Sequence, residues 1–290
     1  MFFLERPLLR IRRYMELVRF SHTLFAMPFA LLSMLIAANG LPAVGIFGWI
    51  LLCLVAARTA AMTFNRIADR HLDAINPRTQ DRHLVVGTVS LIEAWGILVV
   101  SSALFILGAY MLNPLAFSLS PMVLIVLFGY SYTKRFTTLS HLVLGLSLGM
   151  APVGSWIAVR GSLDFPPVIL GAGVLCWVAG FDIIYALTDE EFDRRTGLYS
   201  MVVRFGQAGA LRISQYLHGF SAVLVMLFGW VMLLGLLFWI GWLLFALALV
   251  VQHTIVRPND ISRVNVAFFS VNGVVSILLF LFGAADILLP

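Results

Sequence analysis

Long apolar runs dominate this chain, and they are broken only by short clusters of charge, glycine and proline. A helix needs roughly 20 mostly apolar residues to cross a bilayer, and the pattern predicts nine such helices. They fall near 19–39, 45–67, 91–111, 115–133, 139–159, 167–190, 212–233, 236–256 and 264–288. The division at Gly235 is the weakest, because the apolar run scarcely pauses there. Ahead of the first run, Met1 to Phe20 is basic and amphipathic and has no small-residue cleavage site, so it reads as a segment lying along the membrane interface rather than a signal peptide. The expected fold class is therefore all-α and integral to the membrane, one domain over residues 1–290 with no interrupting linker.

Basic residues orient these spans. Arg6, Arg10, Arg12, Arg13 and Arg19, then Arg66, Arg70, Arg78 and Arg82, then Lys134 and Arg135 all fall on one side of a nine-span chain. Arg194, Arg195, Arg204, Arg212, Arg257 and Arg263 join them, whereas the opposite side has only Arg160. The positive-inside rule then places the amino terminus and this face in the cytoplasm, as expected of a multi-pass protein of a bacterial inner membrane. Composition agrees: 61% of residues are hydrophobic, 11% are charged and the mean hydropathy is +0.99, far from a soluble globular domain. The net charge of +5 is thus a topology signal and a phosphate-handling surface, and it calls for no nucleic-acid partner. Cys53 and Cys176 lie inside apolar spans and read as small core residues.

Two polar motifs depart from this background. Asn65, Asp69 and Asp73 recur every four residues at the end of the second span, and Asp182, Tyr185, Asp189 and Asp193 do much the same at the end of the sixth. At about 100° per residue, each set fits within a sector of about 80° on one helix face. Two facing carboxylate stripes can build an oxygen-only site for Mg²⁺ and, through it, a diphosphate. Polar loops follow each stripe, and Arg78 and Arg82 of the first, with Lys134 and Arg135 from the end of the fourth span, are candidates to grip phosphate oxygens. Arg58 and Asp182 lie seven residues before Asn65 and Asp189, which is about 10 Å deeper at about 1.5 Å per residue. A charge near mid-bilayer costs about 2.5–3.5 kcal/mol on insertion scales, so the two are expected to form the floor of a polar cavity. A buried ion pair between them is the plainer alternative.

These residues resemble the paired signature of the UbiA superfamily of intramembrane prenyltransferases. The likeness rests on N-x-x-x-D-x-x-x-D at Asn65, Asp69 and Asp73, and on D-x-x-Y-A-x-x-D-x-x-x-D at Asp182, Tyr185, Ala186, Asp189 and Asp193. Arg58, Tyr130-x-x-x-Lys134-Arg135 and Gly197-x-x-Ser200 with Phe205-Gly206 extend it over nearly the whole chain. The resemblance implies nine helices in a horseshoe around a central cavity capped by cytoplasmic loops, Mg²⁺ dependence, and transfer of a polyprenyl chain from its diphosphate to an acceptor. Arg66 and His83, with Asn76-Pro77-Arg78-Thr79, look most like the menaquinone branch that prenylates 1,4-dihydroxy-6-naphthoate; the alternative is 4-hydroxybenzoate in ubiquinone synthesis.

On this reading Asn65, Asp69, Asp73, Asp189 and Asp193 hold Mg²⁺, and Lys134, Arg78, Arg82 and Arg135 bind diphosphate. Tyr130 and Tyr185 line a dry aromatic pocket, Asp182 orients or deprotonates the acceptor hydroxyl, and Arg58 pairs with the acceptor carboxylate. A membrane transporter and an isoprenoid-binding protein without turnover are the rival classes. Isoprenoid length and oligomeric state are not legible in the sequence.

Overall fold

A computed structural model describes residues 13–17, 25–258 and 260–289. The expectation of an interfacial amino-terminal segment falls mostly outside these residues; within them 13–17 is helical, and its Leu17 packs with Leu84, Val89 and Ala94. The helices are α1 Met27–Ala38, α2 Val44–Ala68, α3 Arg70–Ile75, α4 Leu91–Leu112, α5 Pro114–Thr133 and α6 Ser140–Arg160. They continue with α7 Phe165–Ala186, α8 Glu190–Thr196, α9 Met201–Val231, α10 Leu236–Ile255 and α11 Asn272–Leu288. Eight helical stretches among the described residues are long and apolar enough to cross a membrane, and α1, with 12 residues, stands for the first predicted span.

Neighbours pack in sequence around a ring. α2 packs on α4 and α5, α5 on α6, α6 on α7, α7 on α9, α9 on α10, and α10 on α11. α1 then bridges α11 and α6. In lipid the apolar surfaces have no water to escape, so close packing and hydrogen bonds must hold this ring together. Both are evident at the α6–α7 seam. A Cβ on Gly149 would sit 2.5 Å from the Gly171 carbonyl oxygen, and one on Gly171 would sit 2.6 Å from that of Gly149. Only hydrogen at both positions permits this approach, which puts the backbones of α6 and α7 in direct contact.

Under the other side of α7 lies an aromatic cluster. Trp177 is fully buried, with its ring centroid 5.0 Å from those of Phe29 and Phe181, and Phe181 is 5.2 Å from Phe268. Such pairs contribute about 0.5–1.5 kcal/mol each beyond the area they cover. The indole Nε1–H donates to Asn272 Oδ1 at 3.0 Å, so the one polar atom of this side chain is satisfied inside the bundle.

Helix boundaries differ from the sequence expectation at polar ends. The helix predicted to begin near 212 begins at Met201, because Ser200 caps it by accepting from the Val203 N–H at 3.1 Å. Its first turn is set off by Gly206, whose φ of 67° and ψ of 172° interrupt the helix. The last span is preceded by a π-helical turn, Val266–Val271. α4 starts where predicted, on a capping box in which Ser90 and Glu93 exchange bonds of 3.2 and 2.8 Å.

Candidate active site

Both acidic motifs lie across breaks in their helices, not on the continuous stripes the spacing predicts. α2 ends at Ala68, and Asp69 has φ −94° and ψ 3° before α3 resumes at Arg70. α7 ends at Ala186, a 3₁₀ turn covers Leu187–Asp189, and Asp189 has φ −108° and ψ 4° before α8. The two aspartates therefore share one backbone conformation, the sparsely populated bridge between helix and strand. Asp and Asn compete with the helix for local hydrogen bonds, which is why a four-residue spacing did not guarantee an unbroken helix here. The break bends each chain over the mouth of a cavity of about 290 Å³.

Basic side chains hold most of the motif acids. Lys134 Nζ lies 2.6 Å from Asp69 Oδ2, and Asn65 Nδ2 donates to the same oxygen at 3.0 Å. Arg82 Nη1 is 2.6 Å from both oxygens of Asp73. Across the mouth, Arg78 makes a fork on Asp189 at 3.0 and 2.6 Å while its remaining nitrogen donates to Tyr185 OH at 2.8 Å. Burial works against the Arg78 charge, but the hydrogen bond and charge of Asp189 more than offset it and hold the guanidinium above its ordinary pKa. Asp193 lines the cavity without an ion pair among the described residues.

Hard oxygen donors of this kind are what Mg²⁺ selects: four carboxylates and the Asn65 amide. The donor chemistry fits the ion. The predicted gathering of those donors is not reached, since among the described residues no three acidic, histidine or cysteine side chains converge as a metal site. The oxygens of Asp69, Asp73 and Asp189 are directed at Lys134, Arg82 and Arg78 instead.

Deeper in the cavity, Arg58 and Asp182 both contribute to the wall, and no ion pair joins them. Asp182 Oδ2 faces His141 Nδ1 at 2.7 Å. Arg58 makes no hydrogen bond among the described residues, and its Nε is buried without a partner. Tyr130 and Tyr185 line the same space, Tyr185 with its ring 4.2 Å from that of Phe268. Arg135 is a correction: it stands outside the cavity wall and donates to the Ala68 carbonyl at 2.6 Å, capping the end of α2, with a longer contact of 3.4 Å to Asp69.

His141, Asn76 and Ser131 were absent from the sequence-based site. Asn76 accepts from the Arg78 N–H at 2.9 Å and so shapes the first loop, and Ser131 accepts from Asn65 Nδ2 at 3.3 Å. His141 carried a legible signal. It is an ionisable residue inside an apolar span, the same signal that marked Arg58 and Asp182.

The family model of the UbiA prenyltransferase family matches residues 26–278. The 4-hydroxybenzoate octaprenyltransferase of Haemophilus ducreyi is 32% identical over 219 residues, covering 74% of this chain and 79% of that protein. The 4-hydroxybenzoate solanesyltransferase of Synechocystis sp. is 30% identical over 226 residues, 77% of this chain and 76% of the relative. Among solved structures, the apo form of a UbiA homolog from Aeropyrum pernix K1 superposes with a TM-score of 0.84 at 34% identity, covering 92% of this chain and 98% of that one. A UbiA homolog from Archaeoglobus fulgidus bound to DMAPP and Mg²⁺ has a TM-score of 0.74 at 21% identity over 95% and 99% of the two chains, a likeness of fold.

Proposed function

This chain belongs to the UbiA prenyltransferase family, and we propose that it transfers a polyprenyl chain from its diphosphate to a hydroxylated aromatic carboxylic acid at the cytoplasmic face of the membrane. The observation that carries the acceptor assignment is Arg58. A guanidinium on a cavity wall within an apolar helix, with no hydrogen bond among the described residues and a buried Nε, is a cation awaiting an anion. The carboxylate of an aromatic acid supplies one. An uncharged acceptor would leave the guanidinium unpaired.

Asn65, Asp69, Asp73, Asp189 and Asp193 are proposed to hold Mg²⁺, which when bound neutralises the departing diphosphate. Lys134, Arg78 and Arg82 would then turn from their carboxylates to phosphate oxygens, with Arg135 steadying the end of α2. Tyr130 and Tyr185 keep the reacting carbon in aromatic surroundings and away from water. The allylic C1–O bond breaks with its electron pair going to diphosphate, a ring carbon of the acceptor bonds to C1, and that carbon's proton, in place of the hydroxyl proton expected from the sequence, passes to Asp182. The single domain 1–290 supplies every group this requires.

Of the two acceptors, 4-hydroxybenzoate is favoured over 1,4-dihydroxy-6-naphthoate. The curated relatives described above are 4-hydroxybenzoate enzymes by name, and the two residues that suggested naphthoate have other engagements. His83 contacts Thr88 and Glu16 at 2.9 and 3.1 Å and is not part of the cavity wall, and Arg66 donates to Asn65 Oδ1 at 3.1 Å. His83 is thereby kept from an acceptor ring, and Arg66, which does line the cavity, is already engaged with Asn65. A transporter would move its cargo unchanged, so Mg²⁺-dependent release of diphosphate separates the classes.

The test incubates membranes containing the protein with labelled polyprenyl diphosphate, Mg²⁺ and each aromatic acid in turn. Product is expected with 4-hydroxybenzoate. Arg58→Ala should raise the acceptor KM by about 10²-fold, from a loss of about 2–5 kcal/mol on truncating one side of a buried charge pair. Donor binding in Mg²⁺ should be unchanged; its collapse with acceptor affinity intact would move Arg58 to the diphosphate site.

A further inference from the structure

Behind Asp182 lies a buried histidine to which the reaction above gives no part. His141 is the second residue of α6 and is buried, with a side chain only 6% exposed. Its two nitrogens have different neighbours. The backbone N–H of Met201, the first residue of α9, donates to Nε2 at 3.4 Å, and Nδ1 lies 2.7 Å from Asp182 Oδ2. An amide N–H can only donate, so Nε2 carries the lone pair and the neutral ring bears its proton on Nδ1. The Nδ1–H therefore donates to Asp182. Three helices meet in this relay: α9 gives an amide from its first turn, α6 gives the imidazole and α7 gives the carboxylate.

The other oxygen of Asp182 is treated differently. Oδ1 takes part in no hydrogen bond among the described residues and is not among the buried atoms that lack a partner, and Asp182 lines the cavity. One oxygen is tied back to the helix bundle and one faces the space where an acceptor sits. A buried polar pair adds little stability compared with apolar residues of similar volume, so the pair needs another reason to persist in an apolar seam.

We propose that His141 is the positioning residue for Asp182, fixing the carboxylate through Oδ2 so that Oδ1 points at the acceptor and receives its proton. The role rests on the prenyl-transfer reading above. When the acceptor ring carbon bonds to the allylic C1 and diphosphate leaves, the proton on that carbon moves to Oδ1, and His141 remains neutral and transfers nothing. Its contribution is orientation, which an amide of similar reach can imitate. Asn presents an N–H near the place of Nδ1–H, and Leu fills the space without a donor.

The full-length chain, purified in detergent, is assayed with polyprenyl diphosphate, Mg²⁺ and 4-hydroxybenzoate as wild type, His141→Leu and His141→Asn. Binding of the donor alone in Mg²⁺ is measured on the same samples. His141→Leu is expected to lower kcat by about 10–100-fold, in the range of a misplaced acid–base group, with donor affinity unchanged. His141→Asn should recover kcat to within about five-fold of wild type, on the same physical ground. A packing role alone would predict no rescue by Asn and a parallel loss of donor binding. Equal kcat for Leu and wild type, equal loss for Leu and Asn, or loss of donor affinity in His141→Asn each overturns the proposal. A wild-type chain that transfers to no aromatic acid overturns the function reading and this role with it, whereas a wild type that transfers without the Leu and Asn difference overturns this role alone.

Discussion

The two acidic motifs break their helices in the same way, yet their charges are neutralised very differently. Asp69 and Asp73 of the first motif meet Lys134 and Arg135 from the end of α5 and Arg82 from nine residues downstream. The second motif borrows. Asp189 is held by Arg78, 111 residues earlier in the chain, while Asp193 makes no ion pair among the described residues. The arginines nearest the second motif do not help: Arg194 is 62% exposed and pairs with Glu190. The first loop therefore serves both motifs, and the second half of the site is complete only when that loop lies across it.

Removing the carboxylates themselves should have the largest effect. Asp69→Ala and Asp189→Ala are each expected to lower transfer by about 10²–10³-fold or more, the scale of losing one charged contact to a leaving group. Product formation from labelled donor measures this, and an unchanged gel-filtration profile of the detergent-solubilised variant shows that the bundle survives. If Asp189→Ala retained near-normal transfer while Asp69→Ala did not, the first motif alone would carry the site.

Arg78 tests the borrowing. Arg78→Ala should reduce kcat/KM for the donor by about 10²-fold, because it removes both the fork on Asp189 and the bond to Tyr185. Arg78→Lys keeps the charge but offers one nitrogen in place of a planar fork, so it should recover only part of that loss. Kinetics at varied donor concentration would read both. Full recovery by Lys would show that charge suffices and the fork between motifs is dispensable.

Much of this was legible before any coordinates. Apolar run length located the spans from α2 to α7, because a bilayer imposes its thickness on any helix that crosses it. Four-residue spacing selected Asp69, Asp73, Asp189 and Asp193, and all four reach one cavity. Pairing was not legible. Whether Asp182 would meet Arg58 or His141 depends on how α6 lies against α7, and the charge pattern carries no mark of that packing. Arg135 illustrates the same limit. Next to Lys134 in sequence, it turns to the α2 carboxyl end because successive residues at a helix terminus point in different directions.

The smallest expected effect is the control for face assignment. Glu190 and Asp189 are adjacent, but Glu190 accepts from Arg194 at 2.9 Å and from Gln207 at 2.8 Å and does not contribute to the cavity wall. Its partners are its own helix and the start of α9, so its charge serves the second loop rather than the reacting groups. Pairs with so exposed a partner contribute about 0–1 kcal/mol, and Glu190→Gln keeps an oxygen for Gln207, so transfer should stay within about two-fold of wild type. The same assay that reads Asp189→Ala reads this variant. A loss as deep as that of Asp189→Ala would mean that α8 presents its other face to the cavity during the reaction, and the contrast between the two motifs would have to be redrawn around Glu190.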